Sequence, residues 1–258
     1  MTEMPTKPRL TFVDRPSPNF NERKGVAPQI LVLHYTAMAT AEAAIQRLCD
    51  PAAQVSSHYV IDEQGGIYRL VGEDKRAWHA GVSYWDGQTD LNTSSIGIEI
   101  ANPGDVPFPK AQMDAVTALC RDIVKRHKMR AIHVVAHSDI APDRKQDPGE
   151  LFDWQGLAAN GVGVFPSPSI VDYQASASWD AAALQSNLTR LGYRSGLDLT
   201  ILLSAFQRHF HQDVFKTPAA VGSPDRETKA RLANLVRRKA IADGLRARTN
   251  GKSAGKKS

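Results

Sequence analysis

The sequence predicts an α/β protein, with a mixed central β-sheet flanked by helices and a small C-terminal three-helix bundle after it. Three observations predict this. As far as Phe165, short apolar runs rich in branched residues alternate with helical patterns, the signature of one sheet with helices packed on it. Pro166-Ser-Pro-Ser169 then interrupts the pattern and reads as a linker. Beyond it only helical periodicities remain. A length of 258 residues fits two domains, and a hydrophobic content of 42% supplies a core.

Residues 1–28 are polar and Pro-rich and are expected as an extended N-terminal segment. Gln29 to His34 is a short apolar run ending on a polar side chain, a buried strand. Ala41 to Leu48 is helical by composition, and Asp50-Pro51 ends it. His58 to Ile61, a Gly65-Gly66 bend and Ile67 to Val71 predict a hairpin. Ser95 to Ile100 alternates apolar with small or charged residues, another strand. Met113, Val116, Leu119, Cys120, Ile123 and Val124 have the spacing of an amphipathic helix running to His127. Ile132 to His137 is expected as the last strand, followed by an irregular loop through Gly149. The first domain is therefore expected over 29–165 and a linker over 166–178. Ala181 to Leu191, Leu199 to His209 and Arg226 to Lys239 form the helical domain over 179–241.

The formal net charge is +5, but much of the excess sits at the end. Gly244 to Ser258 carries Arg246, Arg248, Lys252, Lys256 and Lys257 and no acid, so 242–258 reads as a basic disordered tail. A solubilising end is expected there rather than a nucleic-acid contact. Cys49 and Cys120 lie in separate helix-like patterns and are expected as two buried thiols. No stretch approaches the ~20 apolar residues of a membrane span. The N-terminus lacks the apolar run of a secretory signal, so a cytoplasmic protein is expected, or a periplasmic or envelope one if the chain has been trimmed. The oligomeric state is not legible.

Several predicted strands carry a metal- or proton-capable side chain at or near their ends. His34 ends the first, Glu99 lies within another, His137 closes the last, and Asp147 follows on the loop. Two imidazoles and a carboxylate are a ligand set of catalytic zinc with an open water position. Two histidines at strand ends also occur as ordinary hydrogen-bonded residues, so the pattern alone leaves both readings open.

The surrounding words are more specific. Leu33-His-Tyr-Thr36, Ser56-Ser-His-Tyr-Val-Ile61, Ala77-Trp-His-Ala-Gly81, Leu91-Asn-Thr-Ser-Ser-Ile-Gly-Ile-Glu-Ile100 and Ala136-His-Ser-Asp-Ile-Ala-Pro-Asp-Arg-Lys-Gln-Asp-Pro-Gly149 follow in that order. Together they resemble the zinc-dependent N-acetylmuramoyl-L-alanine amidase family, which includes peptidoglycan-recognition proteins and phage lysozyme-like amidases. The resemblance runs from about Gln29 to Leu157, and looks nearest to bacterial amidases with Asp as third ligand. It implies one Zn²⁺ held by His34, His137 and Asp147, with Glu99 as general base and Lys145 beside the third ligand. The implied substrate is peptidoglycan or a muropeptide, cut between N-acetylmuramic acid and L-alanine. A non-catalytic peptidoglycan-recognition protein is the alternative, but such relatives lack the full ligand and base set that this sequence keeps.

Other residues carry two readings each. His79 either lines the cleft and touches substrate or stacks near Trp78 in a structural role. Asn92 either holds the peptide or acetamido group or forms a turn. His58 is expected in the core or behind a ligand, and Tyr35 as packing. His133 is expected on the strand of His137 but roughly 13 Å away at strand rise, too far to share a metal. His127, His209 and His211 are expected as surface or bundle residues. In the second domain, Leu184 to Tyr193, Ala205 to Phe210 and Asp225 to Lys229 resemble the small three-helix peptidoglycan-binding domain often joined to wall hydrolases. Its aromatic residues are core first and glycan platform second.

Overall fold

A computed structural model describes the chain from residue 10 to residue 254, with side chains to residue 248. Its strands are β1 (Phe12–Asp14), β2 (Phe20–Glu22), β3 (Ile30–Tyr35), β4 (Tyr59–Ile61), β5 (Ile67–Arg69), β6 (Lys75–Ala77), β7 (Tyr84–Trp85), β8 (Gln88–Thr89), β9 (Ser95–Ile100) and β10 (Val134–Ala136). The helices are α1 (Ala41–Cys49), α2 (Leu91–Ser94), α3 (Lys110–His127), α4 (His137–Ile140), α5 (Trp154–Ala159), α6 (Ile170–Ser176), α7 (Ala181–Leu191), α8 (Leu199–Phe210) and α9 (Arg226–Ala254).

Six strands form the central sheet in the order β1-β5-β4-β9-β3-β10. Only β4 and β5, the predicted hairpin, pair antiparallel. The parallel core β4-β9-β3-β10 must be covered on both faces, which explains why Ile30 to Leu33 reads as an unbroken apolar run. Leu31, Leu33, Ile96, Ile98 and Ile100 pack on one face against Val116, Leu119, Cys120 and Ile123 of α3. Ile30 and Val32 point the other way and join Leu184, Leu188, Phe206 and Leu235 of the C-terminal helices in one continuous core. Helix α1 starts at Thr40, whose hydroxyl accepts the Ala43 N–H, and shares a small core with Val60 and Leu70.

Four expectations are revised. The N-terminal segment is built into paired strands: β1 joins the central sheet beside β5, and β2 forms a separate two-stranded sheet with β6. The last strand is only Val134–Ala136, because residues Ala131–His133 form a 3₁₀ turn and His137 opens α4. The expected linker contains α6, closed by a reciprocal cap between Ser169 and Asp172. Arg237 holds the same Asp172 carboxylate with a pair of hydrogen bonds, fastening α6 to α9. Finally, α9 continues through the basic stretch to Ala254, and Asp243 near its middle pairs with Arg130 of the first domain. Residues 255–258 of the expected tail lie outside the described residues. Both cysteines are free thiols, Cys120 buried and Cys49 partly so. Among the described residues no helix is long and apolar enough to cross a membrane.

Candidate active site

Three neighbouring parallel strands bring the predicted residues together at one end of the sheet. His34 and Glu99 are register partners on β3 and β9. Ala136 of β10 pairs with Leu33, so His137 emerges beside His34. Strand alternation sends His34, Gly97 and Glu99 to the same face. The loop after α4 then returns, and the Ser138 N–H donates to the Asp147 carbonyl at 3.0 Å.

His34 Nδ1 lies 2.9 Å from His137 Nδ1 and 2.8 Å from Asp147 Oδ2, and the last two are 3.0 Å apart. The remote nitrogens assign the tautomers. His137 Nε2 lies 3.3 Å from the Ala80 carbonyl and so carries its proton. The Ser95 hydroxyl donates to the Leu91 carbonyl, leaving its oxygen to accept from His79 Nε2 at 3.1 Å. His79 Nδ1 is then an acceptor, and His34 Nε2, 3.1 Å away, donates to it. Both Nδ1 atoms therefore turn lone pairs towards a carboxylate. Three acceptors this close, with no proton between them, repel one another unless a cation sits among them. Ligand atoms around a tetrahedral ion with ~2.0–2.1 Å bonds lie about 3.3 Å apart, a few tenths beyond the distances seen. The donor set fits a metal ion, and His34, His137 and Asp147 form a group able to hold one.

The electrostatics agree. Burial, and then the neighbouring His137, push His34 down to about 4, so it is neutral and free to ligate. Burial works against the Asp147 carboxylate, but positive charge at the His137 and His34 positions outweighs it and holds the group well below the usual carboxylate range; with both imidazoles neutral, a bound cation would supply that charge. Glu99 behaves oppositely. Burial and the charge of Asp147 push its carboxyl well above the usual range, with Lys145 pulling the other way. Its Oε2 is buried and has no hydrogen-bond partner among the described residues. A carboxyl so poised is suited to taking and returning a proton.

A cleft of about 880 Å³ opens over these groups and is lined by His34, His137, Asp147, Glu99 and Lys145. Arg144 also lines it, but its guanidinium is held by the Ala80 and Val82 carbonyls, which separates its role from that of Lys145. His79 reaches the cleft wall, yet both ring nitrogens are engaged, one on His34 and one on Ser95. It backs His34. The structure does not bring Asn92 to the cleft: its carboxamide oxygen accepts the His79 and Ala80 N–H groups at 2.9 and 2.7 Å, so it shapes the segment carrying His79. His58 is fully buried behind this row, accepting the Gly97 N–H at Nδ1. Tyr35 borders the cleft and packs towards Gly104 and Gly149. His133 is turned away and contacts Asp86 at 3.1 Å.

Sequence reasoning missed one wall entirely. Thr200, Ile201, Ser204 and Arg208, spaced along one face of α8, line the same cleft. The only visible signal was the polar residues interrupting the apolar pattern of that helix. His209, expected at a surface or within the bundle, is a buried residue of the bundle helix α8 that also reaches the first unit, stacked on Trp154 and 2.6 Å from Asp139.

With this geometry in hand, similarity to known proteins is informative. Residues 24–150 match the family model described as N-acetylmuramoyl-L-alanine amidase. The N-acetylmuramoyl-L-alanine amidase AmiD of Escherichia coli (strain K12) is 38% identical over 228 residues, covering 78% of this chain and 80% of that one. The 1,6-anhydro-N-acetylmuramyl-L-alanine amidase AmpD of Enterobacter cloacae is 34% identical over 162 residues, 56% of this chain and 87% of its own. Among solved structures, Escherichia coli AmiD in complex with the substrate anhydro-N-acetylmuramic acid-L-Ala-D-gamma-Glu-L-Lys superposes with a TM-score of 0.73 at 35% identity, over 85% of this chain and 98% of that one. AmpDh3 of Pseudomonas aeruginosa in complex with anhydromuramic pentapeptide gives a TM-score of 0.73 at 29% identity, over 93% of this chain and 99% of that one. Sequence, fold and site agree, and this chain belongs to the N-acetylmuramoyl-L-alanine amidase family.

Proposed function

We propose that this chain hydrolyses the amide bond between N-acetylmuramic acid and L-alanine in soluble anhydro-muropeptides, using one zinc ion held by His34, His137 and Asp147. The observation that carries the reading is the convergence of three unprotonated donors beside a buried, partnerless Glu99 oxygen in one open cleft. Bound zinc supplies Lewis acidity, lowering the pKa of a water to ~7 and polarising a carbonyl. Glu99 takes the proton of the attacking water and then hands it to the amide nitrogen, which leaves as a neutral amine. The Lys145 ammonium, on the same cleft wall, offsets negative charge growing on the carbonyl oxygen, a contribution typically worth about 3 kcal/mol. His79 and the Ala80 carbonyl hold the two imidazoles in the ligating tautomer.

Two relatives of known structure contain anhydro-muramyl ligands, which supports a soluble anhydro substrate over the polymer. The complete donor and base set favours hydrolysis over mere recognition. Zinc-loaded protein should be incubated with intact sacculi and with purified anhydro-muropeptides side by side, and the released peptides counted. Faster release from the soluble substrate, abolished by chelation and restored by zinc, is expected. Release from sacculi alone would overturn the substrate assignment, and no release from either would overturn the enzymatic reading.

A further inference from the structure

We propose that Arg208, on the α8 wall of the cleft, is a substrate-binding residue that receives a carboxylate of the stem peptide. The proposal rests on the amidase reading above and adds a specificity element contributed by the C-terminal helices. Four cations line the cleft, and their environments differ. Arg144 is occupied by backbone carbonyls, Lys145 is the cation assigned above to the scissile carbonyl, and Arg47 lies exposed on α1. Arg208 is largely covered, its side chain 11% exposed, and is held in place from two sides. Its Nε donates to Glu150 at 3.1 Å, and its guanidinium carbon lies 4.8 Å from the centre of the Phe215 ring. Neither Nη has a protein partner among the described residues.

A guanidinium gripped at Nε with both outer nitrogens unclaimed presents the flat fork that matches a carboxylate. Because the side chain is already ordered, a ligand does not have to immobilise it. Glu150 follows Asp147 by three residues, so the fork is anchored to the loop that also carries the proposed third ligand. A stem peptide with γ-linked glutamate carries a free α-carboxylate close to the scissile bond and another at its C-terminus. Neutral groups of the sugar offer nothing of that charge. Ser204 and Thr200, one and two turns before Arg208 on the same helix face, add hydroxyls along the path.

Three substrates test this with the full zinc-loaded chain: anhydro-N-acetylmuramyl-L-Ala-γ-D-Glu-L-Lys, the same peptide amidated at the glutamate α-carboxyl, and the same peptide amidated at its C-terminus. Wild-type protein should show kcat/KM at least tenfold lower for one of the two amides, and the affected amide identifies the carboxylate bound. Arg208→Gln should bring the free acid down to the level of that amide, mainly through KM, so that the ratio approaches one. Arg208→Lys, which keeps the charge without the fork, should give an intermediate ratio. An equal slowing of all three substrates by Arg208→Gln would mark a purely structural role and overturn the proposal, as would a wild-type ratio near one or one unchanged by the substitution. Wild-type protein that cuts none of the three would instead overturn the amidase reading on which the proposal rests.

Discussion

Glu99 shows how one side chain acquires a function from its surroundings. It sits between Ile98 and Ile100, both fully buried, yet faces the opposite side of the sheet, where His34 is its register partner. Glu99→Gln preserves shape and removes basicity. Turnover should fall ~10²–10⁴-fold while zinc content, read by atomic absorption, stays at the wild-type level; undiminished activity would remove Glu99 as the base. Asp147→Ala should do the reverse and lower the zinc content first, and a full zinc complement in that variant would refute the third ligand. The places of His34, Glu99 and His137 on apolar strands alone left an ordinary hydrogen-bonded reading open; they were legible as a site because five ordered motifs surround them. Asn92 was not. An Asn in the loop before a strand looks the same in sequence whether its carboxamide faces a cleft or clamps the His79 and Ala80 N–H groups, and only tertiary contacts decide between them. The same holds for His79, whose two ring nitrogens are claimed by residues sixteen positions ahead and forty-five positions behind it in sequence.

At the scale of elements, β9 is the strand on which the site's geometry depends. Gly97 lies two residues before Glu99 on the same face, directly under the His79 ring. A Cβ added there would come within 2.5 Å of that ring, so the strand runs this close to His79 only because the residue is glycine. Gly97→Ala should push His79 off His34 and loosen the proposed metal ligand. Zinc affinity should drop 10–100-fold, the range seen when an outer partner of a ligating His is lost, with about 1–3 kcal/mol of destabilisation from overpacking. A zinc titration with a competing chelator reads the first, and unchanged affinity would show that His79 does not support His34. Core strands and α3 were legible because their apolar periods are long and regular. Element ends were less so. Ile132 and His133 continue an apolar run that looks like strand, but the ladder with β3 starts only at Val134, and which residues pair is decided by the partner strand. Helix α6 hid inside a Pro-Ser stretch because its stability comes from the cap on Asp172 and from Arg237, a residue 65 positions away.

For the molecule as a whole, the sequence suggests two domains on a tether, whereas the structure shows two units sharing one core. Ile30, Val32 and Trp85 of the first unit pack with Leu184, Leu191, Tyr193 and Phe206 of the second, and Trp85 meets Tyr193 edge-on at 5.0 Å. Inside this boundary Asp139 is fully buried, accepting the Ala136 N–H at 2.8 Å and the Tyr193 hydroxyl at 2.6 Å, with His209 Nδ1 also at 2.6 Å. A buried carboxylate tolerates such a place only while all its partners stay, so the second unit satisfies a group rooted next to His137. Sequence patterns report that a helix has an apolar face, not which unit covers it, and that is why the α8 wall escaped notice. The full chain should therefore melt in a single calorimetric transition. Tyr193→Phe, which removes one hydrogen bond to Asp139 while keeping the ring against Trp85, should cost about 1–3 kcal/mol and lower that single Tm by several degrees without splitting it. A fragment ending at Phe165 would expose Ile30, Val32 and Trp85 to water and should aggregate or lose its near-ultraviolet signal. Two resolved transitions in the full chain, or a fragment that keeps wild-type activity on soluble substrate, would show that the helical unit is an independent appendage rather than part of the catalytic body.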